Sequence, residues 1–345
     1  MSIEETEQKD KELHPERYDE SLFRRAYKAG LELRKLNEKE KKKKILLQMI
    51  MIFFSVVIVS IGIHCIASNM KSPEYISPVV WDVYSSPVLK APAYIYGFGN
   101  IDVDVTAESA IAFDPDSGEV FFEKDISTRR QIASLTKIIS SIIVVENFNL
   151  VDTITVGEIP KYGEEEIWGM ELESGDVMTV ENLLKMMLVS SYNDGAIILA
   201  ESIGSEKFIS LMNEKVSTLG LSNTHFANPC GFDNTENYST ADDLRKIVSV
   251  FLEYPSLTKI VDNLSVDVEY IRSGETVKKT IYTTNSMLEK EYVKGIKTGY
   301  TEDAGRCLVT LFEYEDKSRL VVILLNSEDR EKDTEQIEKI ITNLK

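Results

Sequence analysis

The spacing of apolar positions changes along this chain, and each change predicts a different element. Between residues 1 and 44, Tyr18, Leu22, Phe23, Ala26, Tyr27 and Leu31 recur at helical spacing among many charges, which predicts a short amphipathic helix. Ile45 to Ala67 then runs without an Asp, Glu, Lys or Arg. A helix of about 20 apolar residues, rising about 1.5 Å per residue, crosses a bilayer core, so 45–67 is expected to span a membrane once. From Ser68 to Ile101 no period survives. Pro73, Pro78, Pro87 and Pro92 punctuate this stretch, and it reads as a linker.

From Val105 the pattern tightens, and residues 102–345 read as one domain. Ala107–Phe113 and Glu119–Phe122 are expected strands on either side of the turn Asp114-Pro115-Asp116-Ser117-Gly118. Ile138, Ile139, Ile142, Ile143, Val144 and Val145 mark a helix that starts near Ser134. Thr179 caps a helix carrying Val180, Leu183, Leu184, Met187 and Leu188 on its apolar face. Asn193–Ile203 and Ser205–Leu219 look helical, and Thr240 caps another helix to about Glu253. The period then switches to two at Val266, Val268 and Tyr270. Ser273-Gly274 turns the chain into Thr276–Tyr282, and Tyr292–Lys297, Cys307–Tyr314 and Leu320–Leu325 are further strands. Thr334–Leu344 closes as a helix. Strands, helices, strands and a last helix predict an α/β fold of the α+β type: a helix-flanked antiparallel sheet with an inserted helical lobe.

Charge orients this arrangement. Lys41-Lys42-Lys43-Lys44 directly precedes the apolar run, and the positive-inside rule places it in the cytoplasm. Residues 1–44 are then a cytoplasmic segment open to a partner, and the domain lies outside the cell membrane. The basic region is too long for a signal peptide and no small-x-small site follows it, which favours an uncleaved anchor over cleavage. The net charge of −18 argues against a nucleic-acid partner. Charges within 1–44 nearly cancel, so the acidity belongs to the exported part and speaks to solubility. Cys65, Cys230 and Cys307 make no disulfide framework and no paired metal motif. Cys230 and Cys307 are open to pairing or to remaining free. The histidines His14, His64 and His225 fit no zinc pattern, and a Ser-His-Asp triad would have to use His225.

Three short strings carry candidate chemistry: Ser134-Leu135-Thr136-Lys137, Ser191-Tyr192-Asn193 and Lys297-Thr298-Gly299. Ser134 and Lys137, at i and i+3, share a helix face. A serine hydroxyl needs a base to become a nucleophile, and a lysine serves only if burial or a neighbouring cation depresses its pKa. Each string alone is as well explained by a capping serine, a surface lysine or a turn glycine.

Together and in this order they resemble the active-serine penicillin-recognising enzymes. Ala107-Glu108-Ser109-Ala110, Leu221–Pro229 with His225 and Asn228, Tyr238–Asp242 and Thr284-Asn285-Ser286-Met287-Leu288 narrow the resemblance to the serine-type D-Ala-D-Ala carboxypeptidases, the low-molecular-weight penicillin-binding proteins. It covers roughly 105–344 and implies a DD-peptidase/β-lactamase-like fold. It also implies that Ser134 attacks the carbonyl of the penultimate D-alanine of a peptidoglycan stem peptide while neutral Lys137 takes the proton. Lys297 would help poise Lys137 by charge, and Ser191 would relay a proton to the departing amine. Asn193 would hold Lys137 and the substrate, and Lys297 and Thr298 the terminal carboxylate. Gly299 would let a substrate strand pass close. The N–H groups of Ser134 and Tyr300 would form an oxyanion hole. The family works without metal or organic cofactor, and β-lactams acylate its serine.

A class A-like β-lactamase shares the three strings but needs a glutamate-activated water, and His225 to Phe232 holds no glutamate. A DD-endopeptidase and a catalytically silent wall-binding scaffold are the other readings. Departures from the family pattern are Tyr192 in the second string, Cys230 where a histidine is expected, and no unambiguous carboxylate arginine around Leu325–Arg330.

Overall fold

The computed structural model describes residues 94–95, 99–100, 103–158, 169–170 and 172–344. The amphipathic helix, the membrane span and most of the linker expected before Tyr94 lie outside the described residues. No helix among those described is long and apolar enough to cross a membrane.

Two short strands come first, β1 (Tyr94–Ile95) and β2 (Gly99–Asn100), and β1 pairs with β4 (Val120–Lys124). The sheet thus reaches into the segment read as linker. The hairpin of β3 (Ser109–Phe113) and β4 turns as expected, the Asp114 carboxylate accepting from the Asp116 and Ser117 N–H groups. Helix α1 (Thr136–Asn147) follows. Then come β5 (Thr153–Thr155), β6 (Val177–Thr179), α2 (Val180–Leu188), α3 (Asn193–Glu201), α4 (Ser205–Thr218), α5 (Ala241–Leu252) and α6 (Pro255–Val261). The Thr179 and Thr240 hydroxyls accept from the N–H groups of Asn182 and Asp243, the two caps expected from sequence. After β7 (Ser265–Arg272) and β8 (Glu275–Tyr282) the chain forms β9 (Val293–Thr301), β10 (Gly305–Glu313) and β11 (Arg319–Ser327), and ends in α7 (Arg330–Leu344).

The strands form two sheets rather than the single sheet expected. Seven run in the order β2-β1-β4-β3-β11-β10-β9, and four in the order β5-β6-β7-β8. Burial separates them. On β7 exposed and buried positions alternate, so one face meets water. On β11 nearly every residue is buried, because both faces are covered. Val321, Ile323 and Leu325 join the core that contains α1 and α5, while Leu320, Val322 and Leu324 pack with Ile337 and Ile341 of α7. The three-residue strands β5 and β6 and the short helix α6, with its proline at the first turn, were not expected from periodicity.

The sheet ends at β9. It pairs with β10 alone, antiparallel, with Gly299 opposite Cys307 and Lys297 opposite Val309. An edge strand leaves alternate backbone groups free to meet another chain.

Candidate active site

The three strings converge. Ser134 sits in one 3₁₀ turn, Ala133–Leu135, that runs directly into α1. Ala133 takes a left-handed φ of 48°, an uncommon conformation for a residue with a side chain. Two glycines grip this turn. A Cβ on Gly299 would stand 3.2 Å from Ser134 N and 3.1 Å from Ile132 O. One on Gly231, which has φ +90°, would overlap the Ala133 carbonyl. Gly299 thus makes a close approach to the serine's own turn.

Lys137 is 0% exposed. Its Nζ reaches Ser134 Oγ at 2.8 Å, Asn193 Oδ1 at 2.7 Å and Cys230 O at 2.9 Å. An ammonium has three donors and here meets three acceptors. When Lys137 loses a proton, its two remaining N–H groups stay with Asn193 Oδ1 and Cys230 O, which have no proton to give. The lone pair is left facing Ser134 Oγ, the one partner that has. Burial lowers the Lys137 pKa to about 8, while Cys230 and Asp194 pull the other way.

The Cys230 carbonyl is delivered by a loop built on Asn228, whose Oδ1 accepts from the N–H groups of Cys230, Gly231 and Phe232. The Cys230 thiol is buried and free, its pKa raised to about 12 by burial. Cys307 is free as well, so neither is in a disulfide with the other.

Lys297, 1% exposed, donates to the Thr298 carbonyl at 2.9 Å. Burial, then the charges of Lys137 and Arg330, hold its pKa well below the ordinary lysine range. The sequence expectation had Lys297 poising Lys137. In the structure burial poises Lys137, and the charge effect falls on Lys297. The Thr298 hydroxyl, in a residue 5% exposed, lies 2.6 Å from that of Thr284. Tyr300 is exposed, its phenol donating to Glu302.

Ser191, Tyr192 and His225 complete the positions singled out in the sequence. Ser191, at φ 58°, has no hydrogen bond from its hydroxyl to Ser134 or Lys137. Tyr192 is half-buried against the core at the start of α3. His225 is tied through Nδ1 to the Glu236 carbonyl and packs on Tyr238, so it is not the base for Ser134. Arg330 lies at the end of the stretch in which the sequence left the carboxylate arginine unassigned. It opens α7 and donates to the carbonyls of Gly299 and Cys307 at 3.1 and 3.3 Å. Only the pairing of β9, β10 and β11 brings it there; its spacing from the third string gave no signal. Among the described residues no group of three or more His, Cys, Asp or Glu is placed to hold a metal.

The family described as D-alanyl-D-alanine carboxypeptidase, peptidase S11, matches residues 98–329. The chain belongs to this family. Its serine-peptidase relatives include D-alanyl-D-alanine carboxypeptidase DacF of Bacillus subtilis, 31% identical over 68% of this chain and 61% of that protein. D-alanyl-D-alanine carboxypeptidase DacA of Escherichia coli K12 is 32% identical over 59% of this chain and 52% of that protein. The chain thus spans less than two thirds of these curated relatives. The crystal structure of the Streptomyces K15 DD-transpeptidase superposes with a TM-score of 0.63 at 27% identity, covering 68% of this chain and 96% of that one. The α/β DD-peptidase fold expected from the resemblance is the fold observed.

Proposed function

We propose that the chain is a membrane-anchored serine D-alanyl-D-alanine carboxypeptidase that removes the terminal D-alanine from peptidoglycan stem peptides outside the cytoplasmic membrane. The observation that carries this reading is Lys137, buried and hydrogen-bonded so that its neutral form can take a proton only from Ser134.

Ser134 Oγ attacks the penultimate D-alanine carbonyl as its proton passes to Lys137. The N–H groups of Ser134 and Tyr300 stabilise the oxyanion. One such donor is worth about 3 kcal/mol in other hydrolases. The intermediate collapses, the C–N bond breaks, and Ser191 passes a proton to the departing amine. Water then releases the acyl group from Ser134. Lys297, Thr298 and Arg330 hold the substrate's terminal carboxylate, and its negative charge restores a proton to Lys297. The carboxylate that acts on Lys137 is Asp194, which is engaged by the N–H groups of Met170 and Gly195. A class A-type glutamate is missing from the loop beside Lys137, so bound penicillin is expected to leave slowly. The apolar run 45–67 behind Lys41–Lys44 supports the anchor.

The test is labelled penicillin and a D-Ala-D-Ala pentapeptide, each with wild type and Ser134→Ala. Adduct and released D-alanine, both lost in the variant, are expected. A folded wild type that takes up no label at saturating drug would overturn the reading. A cross-linked dimer assayed beside the pentapeptide separates carboxypeptidase from endopeptidase.

A further inference from the structure

The segment Tyr282–Asn285 bonds to the residues that lead into the second string and to the third string itself. Thr284 N donates to the Val189 carbonyl at 3.1 Å, two residues before Ser191, and Ser190 Oγ donates to the Tyr282 carbonyl at 2.8 Å. On the other side the Thr284 hydroxyl meets the Thr298 hydroxyl at 2.6 Å. Asn285, 3% exposed, accepts from Met287 N through Oδ1 and fixes the turn that follows. Thr284 itself is exposed, and Thr298, whose hydroxyl it meets, is buried.

Two hydroxyls in contact share one hydrogen, and the direction of sharing decides what the second can do. If Thr298 donates to Thr284, it presents only lone pairs outward, and these repel an anion. If Thr284 donates, the Thr298 hydrogen is free, and accepting a bond strengthens its own donation. The Thr298 backbone is fixed, because β9 pairs with β10 on one side and its Gly299 packs against the Ser134 turn on the other.

We infer that Thr284 is a positioning residue: its hydroxyl donates to Thr298 and so aims the Thr298 hydrogen at the substrate's terminal carboxylate. This rests on the carboxypeptidase reading given above. It assigns a task to the Thr284-Asn285 motif, which that reading leaves idle. The effect belongs to the carboxylate, so it vanishes for a substrate that lacks one.

The experiment compares a peptide ending in D-Ala-D-Ala with the same peptide ending in D-alaninamide, using the full chain. For Thr284→Val the ratio of kcat/KM for acid over amide is expected to fall about 3- to 10-fold, mostly through KM, and Thr284→Ser is expected to keep the wild-type ratio. Adding Thr284→Val to Thr298→Val is expected to change the ratio no further. An unchanged ratio in Thr284→Val, an equal loss in Thr284→Ser, or additive losses in the double variant would each overturn the inference. A wild type that cleaves neither peptide overturns the underlying reading instead, and the inference falls with it.

Discussion

Lys137 Nζ stands 2.8 Å from Ser134 Oγ, and among the described residues no other side chain hydrogen-bonds that hydroxyl. The base must be neutral to act, and burial brings its pKa to about 8. The rate of acylation by labelled penicillin should therefore rise with pH up to about 8 and level off above it, falling about tenfold per unit below. Asp194 raises the Lys137 pKa. Asp194→Asn should move the same limb to lower pH. A rate profile flat through this region would rule out Lys137 as the base.

Gly299→Ala places a methyl 3.1 to 3.2 Å from Ile132 O, Ala133 Cβ and Ser134 N. None of these is the end of a flexible side chain, so β9 and the serine turn must part by a few tenths of an ångström. Overpacking of this kind costs about 1–3 kcal/mol. Acylation should slow by roughly tenfold, since the displaced atoms include Ser134 N, the proposed oxyanion donor. Stopped-flow labelling combined with urea titration measures both; full activity in a folded variant contradicts the geometry.

Asp333 is fully buried and accepts from Thr106 N, Thr106 Oγ1, Ala107 N and Ser327 Oγ. It fastens the segment just before β3 to α7. Asp333→Ala leaves buried N–H groups without partners and should cost about 3 kcal/mol in urea unfolding, with labelling of Ser134 retained under native conditions. A loss below about 1 kcal/mol would mean water replaces the carboxylate.

Cys230 and Cys307 are buried, and burial lifts their thiols to about 12 and about 11. Thiolate is the reactive species. Both should resist a thiol reagent near pH 8 in the native protein and react at once in denaturant without a reducing agent. Site-resolved mass spectrometry distinguishes them from Cys65. Rapid native modification of Cys230 would show the loop beside Lys137 to be open.

Much of the site could be read before the structure because its chemistry is local. Ser134 and Lys137 are one turn apart, so helical geometry alone brings them together. The strands and capped helices were visible where side chains alternate or a Thr precedes an apolar face. The sequence was silent where contacts depend on strand pairing. Arg330 reaches Gly299 only through the register of three strands, and Gly299 meets Ala133 across the whole domain. The two-sheet division was hidden because β7 and β11 are both strands by composition, and only burial tells them apart. The sequence left burial and a neighbouring cation both open as causes of the Lys137 shift; the motif names the cation, whereas only the fold shows the depth of burial.

The pairing of Phe113 with Val321 joins the first strand of the β3–β4 hairpin to one of the last strands made. During synthesis, β3 therefore waits with an unsatisfied apolar edge until β11 emerges, and loop closure of that length is slow. The serine turn acquires its β9 neighbour only in the same closing stage. A chain arrested or clipped before Arg319 would carry Ser134, Lys137 and the β9–β10 pair without β11, the strand that joins that pair to β3, and would expose strand edges prone to aggregation. Docking of β9 against the serine turn thus waits on the synthesis of β11.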